Sequence, residues 1–114
     1  MADDWKDACS TSDVDDLCPK AVFVEGREIA IYRVGEEFFA TDNLCTHGNA
    51  RLCDGYQENH EIECPLHQGR FDVRSGKALC APLTVNLKTY SVIAVDGRIR
   101  VALQAKSENL DFSK

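Results

Sequence analysis

Two short segments restrict what this chain can become. Cys45-Thr46-His47 and Cys64-Pro65-Leu66-His67 each place a thiol and an imidazole two or three residues apart, and sixteen residues, Gly48 to Glu63, separate the two pairs. Thiol and imidazole presented together, twice, form a metal-ligand set, so a fold that uses them has to bring two loops side by side. The surrounding stretch, roughly Asp42 to Leu83, suits that demand. It holds four of the seven glycines, two of the three prolines, all three histidines and four of the six cysteines. Such a composition reads as long loops joined by short strands.

Outside this stretch the chain reads as a β scaffold. AVFV, REIAIYRV and EEFFATD are short and rich in β-branched and aromatic residues, and turn signals at Glu25-Gly26 and Gly35 separate them. Arg98 to Leu103 alternates, with Ile99, Val101 and Leu103 on one face, and its expected partner is Lys88 to Val95 across the Asp96-Gly97 turn. The only helical expectation is a turn over Ser12 to Leu17, with Ser12 as its cap. These signals predict an all-β fold: an antiparallel β sandwich or small barrel with the two-loop region, about 42–83, inserted as a subdomain. At 114 residues, one domain over 1–104 and a peripheral tail over 105–114 are expected.

Composition narrows the function classes. A net charge of −6 repels nucleic acid and anionic lipid and points to protein partners with basic patches. No apolar run approaches the roughly 20 residues of a membrane span. The first residues, MADDWKDACS, are acidic where a secretory leader would be basic and then apolar, so a cytoplasmic location is expected. In that reducing setting Cys9, Cys18, Cys53 and Cys80 are read as free thiols, and His60, outside both ligand pairs, as a solvated loop residue.

Two kinds of metal centre could use two thiolates and two imidazoles. Structural zinc takes Cys2His2, but its familiar spacing puts both cysteines on one knuckle and both histidines on another. Here each loop mixes the two types. Mixing makes sense if there are two metal atoms, one bound by both cysteines and the other by both histidines. That is the ligand set of a Rieske [2Fe–2S] centre. A colourless zinc protein without acid-labile sulfide would decide for the alternative, a zinc-binding interaction module.

The wider stretches ATDNLCTHGNARLCDGY and IECPLHQGRFDVRSGKALCAP resemble the small Rieske ferredoxins of bacterial aromatic-ring dioxygenase systems of the naphthalene type. The resemblance runs from about Trp5 to Leu103. It implies one [2Fe–2S] cluster, with Cys45 and Cys64 on the inner iron, His47 and His67 on the outer iron through Nδ1, and their Nε2 edges facing solvent. It implies a third, proline-bearing loop at Pro82 over the cluster, and it gives Gly48 and Gly69 a role in letting backbone approach the sulfides. Gly76 stays open between that role and a plain turn. Where respiratory members carry a pair of bridging cysteines, this chain has Ala50 and Leu66, so no bridge is expected. High-potential members have a serine just after the second box. This chain reads Gln68, Gly69, Arg70, which implies a potential near the low end of the roughly −150 to +300 mV range.

The implied function is one-electron carriage from an NAD(P)H-dependent flavoprotein reductase to a terminal oxygenase. A monomer with transient partners is expected, meeting them through a small interface of less than about 1,200 Å². Pro65, Leu66, Gln68 and Pro82 would form its rim. With His60 the only histidine left over, no 2-His-1-carboxylate oxygen site can be assembled, so no catalysis is expected of the chain itself. An accessory Rieske subunit, permanently bound to an enzyme, is the alternative role, and a complex that survives gel filtration would reveal it.

Overall fold

The computed structural model of the chain describes residues 5–105, apart from positions 47, 67 and 82. Among the described residues nine strands form two antiparallel sheets. The larger sheet contains β1 (Trp5–Ser10), β2 (Lys20–Val24), β3 (Arg27–Val34), β4 (Glu37–Asp42), β8 (Thr89–Val95) and β9 (Arg98–Ala105), in the order β1-β9-β8-β4-β3-β2. The smaller contains β5 (Tyr56–Glu58), β6 (Glu61–Glu63) and β7 (Arg70–Asp72), in sequence order. The all-β expectation and the inserted two-loop subdomain are both met.

The hairpins form where the turn residues tolerate left-handed backbone. Glu25 and Gly26 join β2 to β3 with φ of 50° and 85°, and Asp96 and Gly97 join β8 to β9 with 52° and 77°. Positive φ at both central residues matches the right-handed twist of the flanking strands. The two edge strands of the larger sheet, β1 and β2, also touch each other. The sheet therefore curls toward a barrel and encloses Cys9, Val14, Val22, Val24, Ile29, Ile31, Ala40, Tyr90, Ile99 and Val101.

β3 is buried on both faces, which explains its nearly unbroken apolar run. Ile29 and Ile31 point into the barrel core, while Ala30 and Tyr32 belong to a second cluster with Leu52, Ile62, Phe71, Val73, Leu83 and Leu87 of the inserted region. Successive side chains on a strand face opposite ways, so this one strand is the wall shared by both cores. Tyr32 is buried and its hydroxyl meets Thr41 Oγ1 at 2.9 Å. Burial pushes its pKa well above the ordinary tyrosine value.

Three details differ from the sequence reading. The helical turn is a 3-10 turn over Thr11–Asp13, and its cap is Ser10, whose hydroxyl accepts from the Ser12 N–H while Asp13 bonds back to the Ser10 N–H. The turn ends there because Val14 has to enter the barrel core, where it is fully buried in extended backbone. β1 carries no alternation that betrays a strand, since only Cys9 of its six residues is buried. His60 is half-buried in the turn between β5 and β6, with its ring edge-on to Phe39 at 5.6 Å and Nε2 3.7 Å from Glu37. The expected tail falls largely on residues 106–114, which lie outside the described residues.

Candidate metal centre

The two Cys/His segments are closed in the same way. In the first, the Cys45 N–H donates to the Ala50 carbonyl at 2.9 Å, above an isolated antiparallel bridge between Leu44 and Arg51. In the second, the Cys64 N–H donates to the Gly69 carbonyl at 2.8 Å, directly above the Glu63-Arg70 pair that ends the β6–β7 ladder. Each cysteine therefore opens a loop closed five residues later. Strand pairing directly below fixes the backbone at both ends of each loop.

Cys45 and Cys64 are 5% and 1% exposed and lie in the same apolar cluster, and no disulfide joins them. Two buried thiols in one apolar cluster, each opening a matched loop, suit the thiolate half of a two-iron centre. His47 and His67, the imidazole half, lie outside the described residues, as does Pro82. Among the described residues no group of three or more His, Cys, Asp or Glu side chains gathers around a common point. Cys9, Cys18, Cys53 and Cys80 are free thiols.

Two further residues, Leu83 and Val85, reach the loops. The Leu83 side chain fills the space beside Gly69, where an added Cβ would lie only 2.5 Å from Leu83 Cγ. Leu66 in turn lies over Gly48, 3.2 Å from where a Cβ would be. Thr46 Oγ1 donates to the Val85 carbonyl at 2.7 Å. These contacts hold the loops without the covalent bridge that Ala50 and Leu66 cannot supply. Gln68 sits between Cys64 and Gly69 with φ of 62°, a left-handed conformation unusual for a side-chain-bearing residue, and its N–H donates to the Cys64 carbonyl at 3.0 Å.

The sequence reading passed over Asn43, which is completely buried two residues before Cys45. Its Nδ2 donates to Glu28 Oε2 at 2.8 Å and its Oδ1 accepts the Cys53 N–H at 2.9 Å. The residue just before it, Asp42, accepts the Tyr90 hydroxyl at 2.5 Å. Burial, and next the Asp42 carboxylate, push the Tyr90 pKa up to about 12.

The Rieske [2Fe–2S] domain family matches residues 4–91. The chain belongs to that family. The ferredoxin component of the naphthalene 1,2-dioxygenase system of Pseudomonas putida is 57% identical over 99 residues, which cover 87% of this chain and 95% of that protein. Among solved structures, a ferredoxin of Sphingomonas yanoikuyae B1 is 46% identical and superposes with a TM-score of 0.80, covering 83% of this chain and 94% of that one. A complex of reduced oxygenase and oxidised ferredoxin in carbazole 1,9a-dioxygenase gives a TM-score of 0.84 at 37% identity, covering 92% and 98%. Membership fixes the cofactor as one Rieske-type [2Fe–2S] cluster and the role of this Rieske protein as electron transfer, not catalysis.

Proposed function

We infer that the chain is the electron-carrying ferredoxin component of an aromatic-ring dioxygenase system, with Cys45, His47, Cys64 and His67 as ligands of its single cluster. The matched pair of loops carries this reading, with a buried cysteine opening each and both cysteines in one apolar cluster. Bound there, the cluster would store one electron at a time, which suits a shuttle between a two-electron flavoprotein reductase and an oxygenase.

The protein's own groups set two properties of that shuttle. The Thr46 hydroxyl is committed to the Val85 carbonyl, and positions 68–70 bring no hydroxyl at all. Few side-chain donors are left to favour the reduced state, which supports a potential near the low end of the roughly −150 to +300 mV Rieske range. Around the loops, Leu44, Leu66, Leu79 and Val85 are large apolar side chains left exposed, and Pro65 and Gln68 are exposed beside them. An apolar rim of this kind suits weak docking that excludes water for the moment of transfer. We assign this face to both the reductase and the oxygenase, each met transiently by a monomer.

Purified protein is expected to contain two irons and two acid-labile sulfides per chain. On reduction it should give a rhombic EPR signal whose average g lies below that of all-cysteine clusters. Cys45→Ser and Cys64→Ser should abolish the signal, while Cys53→Ser, Cys80→Ser and His60→Gln leave it intact. A signal that survives in either ligand variant, or vanishes in one of the other three, would overturn the assignment.

A further inference from the structure

We propose that Glu28 and Asn43 are positioning residues for the first cluster loop, one carboxylate oxygen on strand β3 holding both ends of that loop in place. The proposal rests on the ligand assignment above and goes beyond it, since neither residue is a ligand.

The geometry begins with three consecutive polar side chains just ahead of Cys45, each tied to a scaffold strand. Thr41 meets the Tyr32 hydroxyl on β3, Asp42 accepts from Tyr90 on β8, and Asn43 donates to Glu28 on β3. Burying an amide is costly unless its polar groups are satisfied. In Asn43 they are satisfied throughout. Its N–H donates to the Glu28 carbonyl at 3.1 Å, its carbonyl accepts the Leu52 N–H at 2.7 Å, Oδ1 accepts the Cys53 N–H, and Nδ2 reaches Glu28 Oε2 and, at 3.4 Å, Cys53 Sγ. One residue thereby joins β3, the start of the loop and the 3-10 turn Leu52–Asp54 that follows it.

The far end of the loop returns to the same atom. Arg51 Nε donates to Glu28 Oε2 at 2.7 Å, so a single oxygen receives bonds from the residues on either side of the segment 44–50. The Asn43 and Arg51 hydrogen bonds hold the Glu28 carboxyl below the ordinary glutamate range, keeping it an anion. Hydrogen bonds to a charged acceptor are about twice as strong as neutral ones. The segment between them carries Cys45 and His47. When an electron arrives, the charge at this loop changes, and a loop pinned at both ends to a core strand has little room to rearrange. Positioning of this kind by residues behind the ligands is what separates a firm site from a loose one.

Asn43→Asp tests the proposal directly, because it sets a second carboxylate against Glu28 Oε2 with almost no change in shape. The readouts are the rate at which reduced, loaded protein yields iron to ferrozine, the width of the EPR signal, and amide exchange at Leu52 and Cys53. Val22→Ala, which thins the barrel core away from the loop, is the matched control for plain destabilisation. Asn43→Asp should release iron roughly tenfold faster than wild type, broaden the EPR signal and speed exchange at both amides. In Asn43→Asp/Glu28→Gln the glutamine amide can donate to the introduced carboxylate, so release should return to within about threefold of wild type. If Asn43→Asp cannot be recovered with iron, Arg51→Met carries the test from the exposed arm, with release about two- to threefold faster. If these variants release iron no faster than Val22→Ala, the positioning proposal is wrong and the ligand assignment stands. Wild-type protein lacking iron and sulfide removes the ligand assignment and this proposal with it.

Discussion

At the scale of single residues, the structure separates glycines that the sequence alone makes look alike. Gly76 has φ of 80°, and a Cβ there would sit 2.2 Å from the Leu87 carbonyl oxygen, an atom of a backbone already bonded to Gly76 itself. Among the described residues Gly48 would meet only Leu66 Cδ2, at 3.2 Å, the end of an exposed side chain that can swing aside. Gly76→Ala should therefore cost at least about 1–2 kcal/mol from the left-handed backbone alone, with the clash in addition. Gly48→Ala should change stability by less than about 0.5 kcal/mol. Urea unfolding of the two variants checks both, and equal midpoints would show that the close approach at Leu87 is not what requires glycine. Gly76, left open between site and turn on sequence grounds, is thus a fold residue, held where the chain turns back from β7.

Among elements, legibility followed local chemistry. Strands β2, β3, β4, β8 and β9 announce themselves because β-branched runs end at residues able to take positive φ, and that pairing of signals leaves few alternatives. β1 gave no such signal, because it is held by pairing with β9 and buries only Cys9. The same limit hid Asn43. Beside a ligand segment an asparagine reads as a turn former, and what makes it a hub is Glu28, fifteen residues earlier and adjacent only once β3 and the loop have come together. The spacing of Cys45 and Cys64 singles them out in the sequence, and the structure buries both in one apolar cluster. The small sheet shows another tertiary effect: Arg70 on β7 bonds Glu58 on β5 and both Glu61 and Glu63 on β6, at 2.8, 3.1 and 3.0 Å. These three carboxylates raise the Arg70 pKa further above its already high ordinary value. Arg70→Gln leaves them facing one another across strands only three residues long. Its thermal midpoint should fall most at low ionic strength and recover as salt is added. A loss independent of salt would mean that Arg70 acts through packing instead.

For the whole molecule, charge and apolar surface are divided in a way that bears on how the carrier meets its partners. The proposed rim residues Leu44, Leu66, Leu79 and Val85 are exposed apolar side chains, while the net charge of −6 is carried by the chain as a whole. Three carboxylates of the small sheet, which runs directly into the second loop, are already engaged by Arg70. Contact at the rim depends on shape and dehydration, which respond weakly to salt, whereas the approach to it depends on a field screened beyond about 10 Å at 0.1 M salt. The second-order rate of electron delivery to an oxygenase with a basic docking face should therefore fall as ionic strength rises, while transfer within the formed complex stays nearly constant. Leu66→Ala should do the opposite, weakening the complex and leaving the salt slope unchanged, because it removes apolar contact and no charge. Stopped-flow reduction of the oxygenase across a salt series, at limiting and at saturating ferredoxin, separates the two. A bimolecular rate indifferent to salt would show that the negative charge of this chain does not steer the encounter.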